Sequence, residues 1–517
     1  MRLEVVFSAH AVRMPDKEAV VCRERRVRYR DLQARVREVA GGLAKLGVGE
    51  GDRVVLYLPN GTEFVELLYA AFTLGAVVVP VTTRLTIREL AYFSEDSAAK
   101  VIVCSDAHAE GVRTILNAQP SVKGVVVGKP VKGFVSFEEV SDKGLQPKAV
   151  DSENDVAMVM YTSGTTGKPK GVLLTHANIL VNHGFMNATD WSIGHEDRYL
   201  VASPLAHRAG LGRLMNSMTL GGTIFVLPAF DAEEIAQTIE REKVTVVGMV
   251  PTMCRMFLPA LEKAPERCRT LRRIVVTGEA FPVELKKKLI ALLPDTQLVS
   301  FFAMTEAGAI TNLSHEEQFS HPKSVGRPVP GVEVRIVDEN GRDVETGAIG
   351  EVIVRSGKPG AFTIMKGYYN RPEETAKSIR DGWFHTGDLA QRDSDDYIYI
   401  VDRKKDMILS GGFNIYSKEV EQAIVEVEGV ADAAVVGVPD EIFGEAIAAF
   451  VELDPKKKAP SADDIIAHCR SAIASYKKPK FVFFIEALPR NAVGKVLKHE
   501  LSEQARASAA AGQKGAA

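Results

Sequence analysis

Residues 161–172 read YTSGTTGKPKGV and stand directly behind an apolar run, Val156–Met160. Glycines there free the backbone for positive φ and close approach to a ligand. The hydroxyls and backbone N–H groups around them can cradle an anion, and Lys168 and Lys170 add charge. The segment reads as a phosphate-binding loop, but not as a Walker A loop, which runs GxxxxGK and then Ser or Thr. Here Gly167-Lys168 is followed by Pro169, and Gly164 lies too close. The plain alternative is a surface loop; the ordered mix of Ser, Thr, Gly and Lys argues against it.

Around this loop, strand-like and helix-like segments alternate. Arg53–Leu58, Val77–Val81, Lys100–Cys104, Lys243–Val250 and Arg273–Thr277 read as short apolar strands, and Thr62–Ala76 carries helical periodicity. That alternation predicts α/β layers with largely parallel sheets. Near Val332–Val354 the pattern changes to short strands and tight turns, a small β-rich subdomain. Beyond the charge cluster Arg403–Asp406 the remaining residues suffice for a small α+β domain, with a helix at Lys418–Val427 and strands near Ala433–Val438 and Ala446–Glu452.

The chain has 517 residues, which calls for more than one domain, and a formal net charge of −3, which gives no electrostatic case for nucleic acid or an anionic membrane. No apolar run is long enough to span a bilayer and no signal peptide is evident, so no membrane association is expected. The 5 cysteines, at 22, 104, 254, 268 and 469, show no metal-ligand spacing, and a reducing cytoplasm is the expected home.

Four further segments follow the loop in order: FFAMTEAG at 301–308, GWFHTGDLA at 382–390, IVDRKKDMILSGGFNIYSKEVE at 400–421 and PRNAVGKVLKHEL at 489–501. Together the five resemble the signatures of the adenylate-forming superfamily, which includes acyl- and aryl-CoA synthetases, luciferases and the adenylation domains of peptide synthetases. The resemblance runs from residue 161 almost to the end; the first 150 residues carry little signature.

The resemblance implies an N-terminal ATP- and acyl-binding domain over 1–402, a hinge at 403–405 with Lys405 at the hinge position, and a small mobile C-terminal domain over 406–517. It also implies ATP, Mg²⁺ and coenzyme A as cofactor, metal and co-substrate. Thr162, Ser163, Gly164, Thr165, Thr166, Gly167 and Lys168 would hold the β- and γ-phosphates. Thr305 would contact the α-phosphate, and Glu306, with Thr162, would hold Mg²⁺. Without the motif, Glu306 would read as a carboxylate at a helix N-terminus. Gly278, Glu279 and Ala280 would lay backbone against adenine, with Phe302, Ala303 and Met304 beside the base; Ala303 stands where the family usually has Gly, and Phe302 where it usually has Tyr. Asp388 and Arg403 would hold the ribose. Lys495 would bridge the acid and the α-phosphate during adenylation. Gly411 would line a pantetheine tunnel, and Lys477 and Lys478 would meet the 3′-phosphate of CoA.

Pro204-Leu205-Ala206-His207 resembles the family's element ending in a pocket gate, which makes His207 a gate candidate. Arg208 and Arg213 follow. Five residues apart on a helix is about 140° of rotation, so both cannot easily face one pocket; one of them would meet an anionic or polar substrate tail. Ser203–Gly222 holds no acidic residue, which argues against an α-amino acid substrate. The expected partners are a carboxylic acid, aromatic or medium-chain and polar-tailed if an arginine reads it, and CoA; a homodimer is left open. The expected activity is AMP-forming acid–thiol ligation. A ligase loading a carrier protein, a luciferase-like oxygenase and a non-catalytic nucleotide-binding protein are the alternatives.

Overall fold

The apolar run ahead of the phosphate loop is a strand, Val156–Thr162, within an eight-stranded sheet. The computed structural model describes residues 1–144, 150, 156–162, 169–278, 281–490 and 496–510, the last three by backbone alone. Val156–Thr162 pairs in parallel with Val77–Val81, which pairs in turn with Arg53–Tyr57, and the parallel run continues through Ala99–Ser105 and Lys123–Val127. On the other side Lys170–Thr175 returns antiparallel and sets Thr162 opposite Lys170. A nine-stranded sheet repeats the plan: Thr223–Val226, Arg198–Val201, Val246–Met249, Arg273–Val276 and Gln297–Met304 run parallel, and an antiparallel hairpin to Gly308–Leu313 follows. Both belong to one compact unit, Met1–Val334 with Val354–His385.

Parallel strands covered on both faces need near-continuous apolar sequence. Val54, Val55, Leu56, Val78, Val79, Val101, Ile102 and Val103 are accordingly fully buried. Element ends follow local rules. Thr86 and Glu89 form a reciprocal capping box that starts helix Ile87–Asp96. The helix expected over Thr62–Ala76 stops at Thr73, because Gly75 turns left-handed at φ +70°. The strand expected from Lys243 begins only at Val246, because Lys243 itself, at φ +52°, ends helix Ala232–Glu242.

The second unit comprises Arg335–Ile353 and Thr386–Ala517. Its expected helix and strands form as Ser417–Val425, Val430–Asp440 and Gly444–Leu453, the two strands antiparallel. Ala433 and Val435 pack into one core with Ile424 and Ile465, while Ala434 and Val436 pack into another with Leu488 and Leu501. Successive side chains point to opposite faces and both faces are covered, so the strand reads as a continuous apolar run. Asp402, fully buried, accepts from Ser417 Oγ at 3.1 Å and from the Ser417 and Lys418 amides, satisfying the start of helix Ser417–Val425.

Among the described residues no helix is long and apolar enough to cross a membrane, and all five cysteines are free thiols.

His176 sits in the first unit's core, 1 % exposed, edge-on to Phe72, with its Nδ1 accepting from the Leu3 amide. Burial, with the charges of Arg2 and the amino terminus, pulls its pKa to about 3, although Glu4 lies 3.9 Å away. The unfolded chain therefore takes up this proton first as pH falls below about 6.5, and stability drops with acidification by up to about 1.4 kcal/mol per pH unit for such a group. Burial moves His183 and His207 in the same direction. Melting midpoints from pH 7 to 4 should fall more steeply for the wild type than for His176→Gln; parallel slopes would remove His176 from the account.

Candidate active site

Thr305, Glu306 and Ala307 form the turn between strands Gln297–Met304 and Gly308–Leu313. A three-residue turn followed by a left-handed residue suits a hairpin, and Gly308 supplies that residue at φ +69°. A side chain at Gly308 would also meet Asn182 Oδ1 at 2.9 Å. That oxygen instead accepts from the Ala309 amide, also at 2.9 Å, and steadies the turn. Glu306 is therefore not a helix-start carboxylate. It is 9 % exposed, and its Oε1 accepts from Thr162 Oγ1 at 3.3 Å and from the Tyr368 hydroxyl at 3.3 Å. Its carbonyl accepts from the Met365 amide at 2.7 Å. Burial and the Glu306 charge raise the Tyr368 pKa far above its ordinary range, so Tyr368 stays a donor.

Thr162 and Glu306, distant in sequence, thus meet as expected. A carboxylate beside a hydroxyl is a hard-oxygen pair of the kind Mg²⁺ accepts. Among the described residues no group of three or more His, Cys, Asp or Glu is gathered as a metal cage. A cation held here would take few protein oxygens and fill its shell with water and phosphate, which is the habit of Mg²⁺ with nucleotides. The residues present therefore fit that ion.

Phe302, Ala303 and Met304 form the strand end before the turn, all half-buried. The register slips between Phe302, opposite Thr311, and Ala303, opposite Ala309. The extra residue is Ile310 on the partner strand, and Ala303 keeps a negative φ. A methyl at 303 therefore needs no backbone strain. Gly278, at φ +102°, breaks the chain out of strand Arg273–Val276 beside Val250.

Lys170 does not behave as the sequence suggests. Its ammonium is paired with Glu374 and lies over the Tyr368 ring, so its charge is already met within the protein. Ser163, Gly164, Thr165, Thr166, Gly167, Lys168, Glu279, Ala280 and Lys495 lie outside the described residues.

His207 precedes helix Arg208–Leu220 in extended conformation. Burial, reinforced by Arg84, lowers its pKa to about 4, so it is neutral near pH 7.

In the second unit, Asp388 and Arg403 stand directly opposite each other on antiparallel strands. Arg403 Nε lies 2.7 Å from Asp388 Oδ1, and the Asp388 side chain is only 4 % exposed. The register thus brings together the two residues expected to share the ribose. Gly411 and Gly412 form a two-residue hairpin turn between Ile408–Ser410 and Phe413–Ile415, with φ of +58° and +82°. Positive φ at both central positions is the type I′ pattern, which glycine meets without strain. Of the two lysines assigned to CoA, Lys477 is held by both oxygens of Glu419 at 2.7 Å, whereas half-buried Lys478 donates to the Ser475 carbonyl at 3.2 Å.

Residues 7–369 match the family of AMP-binding enzymes, and residues 419–495 match the C-terminal domain of AMP-binding enzymes. The chain belongs to the AMP-binding enzyme family, and so to the adenylate-forming superfamily. It is 36% identical over 484 residues to the long-chain-fatty-acid–CoA ligase of Mycobacterium tuberculosis, covering 93% of each chain. Among solved structures it resembles ATP-bound MatB from Rhodopseudomonas palustris, at TM-score 0.88 and 30% identity, over 98% of this chain and 99% of that one. It also resembles the o-succinylbenzoate CoA synthetase of Bacillus subtilis in complex with ATP and magnesium ion, at TM-score 0.84 and 30% identity, over 96% and 98% of the two chains.

Glu306→Gln keeps the shape of the turn and removes its charge. We expect ATP-dependent turnover to fall by about 10²–10³, the scale seen when one preorganised electrostatic group is lost, with little change in melting midpoint. Steady-state kinetics beside a thermal scan checks this, and a variant with full activity would remove Glu306 from the phosphate chemistry.

Proposed function

We propose that this protein joins a carboxylic acid to the thiol of coenzyme A through an acyl-adenylate, consuming ATP and releasing AMP and pyrophosphate. In the first half-reaction a carboxylate oxygen attacks the α-phosphorus and the bond to pyrophosphate breaks. In the second, the CoA sulfur attacks the acyl carbon, AMP departs and the thiol proton is released. The observation that carries this reading is the buried Glu306 carboxylate, met by Thr162 at the mouth of the phosphate loop.

The residues divide the work. Thr162 through Lys168 surround the β- and γ-phosphates, and with Lys170 neutralised by Glu374 the loop's cationic charge rests on Lys168. Bound Mg²⁺, held by Glu306 and Thr162, supplies charge neutralisation at the phosphates. Thr305 donates its hydroxyl to the α-phosphate. Gly278, Glu279 and Ala280 lie along adenine, with Phe302 against its face. Asp388 accepts from the ribose hydroxyls while Arg403 fixes its carboxylate. Lys495 bridges the attacking carboxylate and the α-phosphate, where charge shifts during reaction. Neutral His207 gates the acyl pocket.

Residues 403–405 act as the hinge about which 406–517 turns between the two half-reactions. Gly411 lets the pantetheine arm pass close to the backbone, and Lys478 meets the CoA phosphate. The acid is aromatic or of medium chain length with a polar tail. The free thiols agree with a reducing cytoplasm.

AMP release from Mg-ATP across aliphatic, aromatic and dicarboxylic acids, with and without CoA, tests the reading. AMP that requires both acid and CoA supports it. Acid-dependent pyrophosphate exchange without CoA turnover would replace CoA by a carrier protein. Lys495→Ala should cripple adenylate formation and largely spare thioester formation from preformed adenylate; equal loss in both would remove that lysine's assignment.

A further inference from the structure

Helix Arg208–Leu220 carries two arginines, Arg213 buried and Arg208 half-buried, and among the described residues neither finds an acidic partner. Nη1 and Nη2 of Arg208, and Nε and Nη1 of Arg213, are out of solvent with no hydrogen-bond partner. Burial lowers both guanidinium pKa values to about 10, so both remain cations at neutral pH. His183, also buried, is held neutral by burial and by the same two charges, and among the described residues no carboxylate pairs with either arginine. A buried, unpaired charge is costly. Two buried carboxylates, by contrast, are met: Glu66 by Arg25 and Arg35, Asp197 by Arg272.

The two arginines are not equivalent. Arg213 is 4 % exposed and packed in place. Its guanidinium carbon lies 4.7 Å from the centre of the Trp191 ring, and its stem crosses Gly248 so closely that a side chain there would sit 2.6 Å from Arg213 Cδ. It lines a narrow cleft bounded also by Met249, Val275, Thr277 and Phe301 among others; Arg208 does not line it. The cleft adjoins the strand that leads to the Thr305–Glu306 turn. Thr277 donates to the Phe301 carbonyl at 3.1 Å, and Phe301 lies on the strand that ends at the Thr305–Glu306 turn. Four residues of strand at ~3.3 Å each put that turn about 13 Å further on.

We infer that the acid activated here is a dicarboxylate, one carboxylate entering adenylation and the other held by the guanidinium of Arg213. This rests on the ligase reading above. A planar guanidinium matches a carboxylate with two parallel hydrogen bonds, and walls such as Met249, Val275 and Phe301 strengthen them. An acid with an apolar tail leaves the cation buried and unmet, which is the strongest kind of rejection a pocket provides. The distance along the strand calls for several carbons between the two carboxylates rather than one.

The test compares straight-chain α,ω-diacids of increasing length with their monomethyl esters, which keep the size and lose one charge. On the full-length enzyme, kcat/KM for AMP release with CoA should favour the best diacid over its half-ester by at least about 100-fold. Arg213→Gln should collapse that ratio toward unity, and Arg213→Lys should restore part of it. Calorimetric binding of the same pairs without turnover should show the same preference and the same loss. Equal use of diacid and half-ester by the wild type overturns the inference, as does an unchanged ratio in Arg213→Gln. Arg213-dependent diacid binding with no AMP release from any acid supports the arginine assignment and overturns ligation, whereas AMP from monoacids alone overturns the dicarboxylate and leaves ligation standing.

Discussion

A carboxylate taken out of water must be met by donors or cations, and the first unit is organised around meeting Glu306. The residue sits on a hairpin of the nine-stranded sheet, while Thr162 and Tyr368, which donate to it, belong to the eight-stranded sheet. The Met365 amide closes on the Glu306 carbonyl from the segment leading into Tyr368. One acidic side chain therefore lies on the seam between two sheets, at the end of the strand that feeds the phosphate loop. A polyphosphate brought to that loop would meet like charge unless a cation stood between them. The same carboxylate that links the two sheets would thus call for a cation beside any bound polyphosphate.

The second unit solves a related problem by register. Asp388 and Arg403 are opposite residues on paired strands, so the ion pair follows from the hairpin itself and needs no long flexible reach. Asp402, one residue before Arg403, is fully buried and caps helix Ser417–Val425. The segment assigned as a hinge therefore leaves a strand whose last two residues are pinned on opposite faces, one by Asp388 and one by the helix start. Those anchors stand on either side of 403–405, so a turn there would have to part Asp402 from the start of helix Ser417–Val425.

What could be read from the residues was whatever is local. Strand Val77–Val81 follows its apolar run to the residue, the capping box at Thr86 depends on four neighbours, and the paired glycines at 411 and 412 fix a two-residue turn. The ordered motifs carried Glu306, Asp388 and Arg403 because each is embedded in its own short signature. What was not legible is pairing across the chain. Lys170 and Lys477 look alike as cations beside a phosphate site, yet Glu374 and Glu419 have claimed them, at separations no periodicity encodes. Tyr368 carries no signal of its own, and becomes part of the site only because a two-residue strand lays it beside Lys170–Thr175. A helix start, which Glu306 would suggest without its motif, does not form for the same reason: a turn between paired strands depends on the partner strand, not on the residues of the turn alone.

Charges that are satisfied and charges that are not then sort the polar residues by purpose. Lys170, Lys477, Glu66 and Asp197 are met within the protein. Arg213 differs because its surroundings are complete in every respect except charge. Trp191 and Gly248 shape a slot for its stem, and Trp191 is itself fixed by a 3.1 Å bond to Asn312 and by contact with Phe301. A side chain held so firmly has lost its conformational freedom in advance, so an anion that binds it does not bear that ordering cost again. Sequence geometry allows only one of the two helix arginines to face a given cleft, and of the two only Arg213 lines this one.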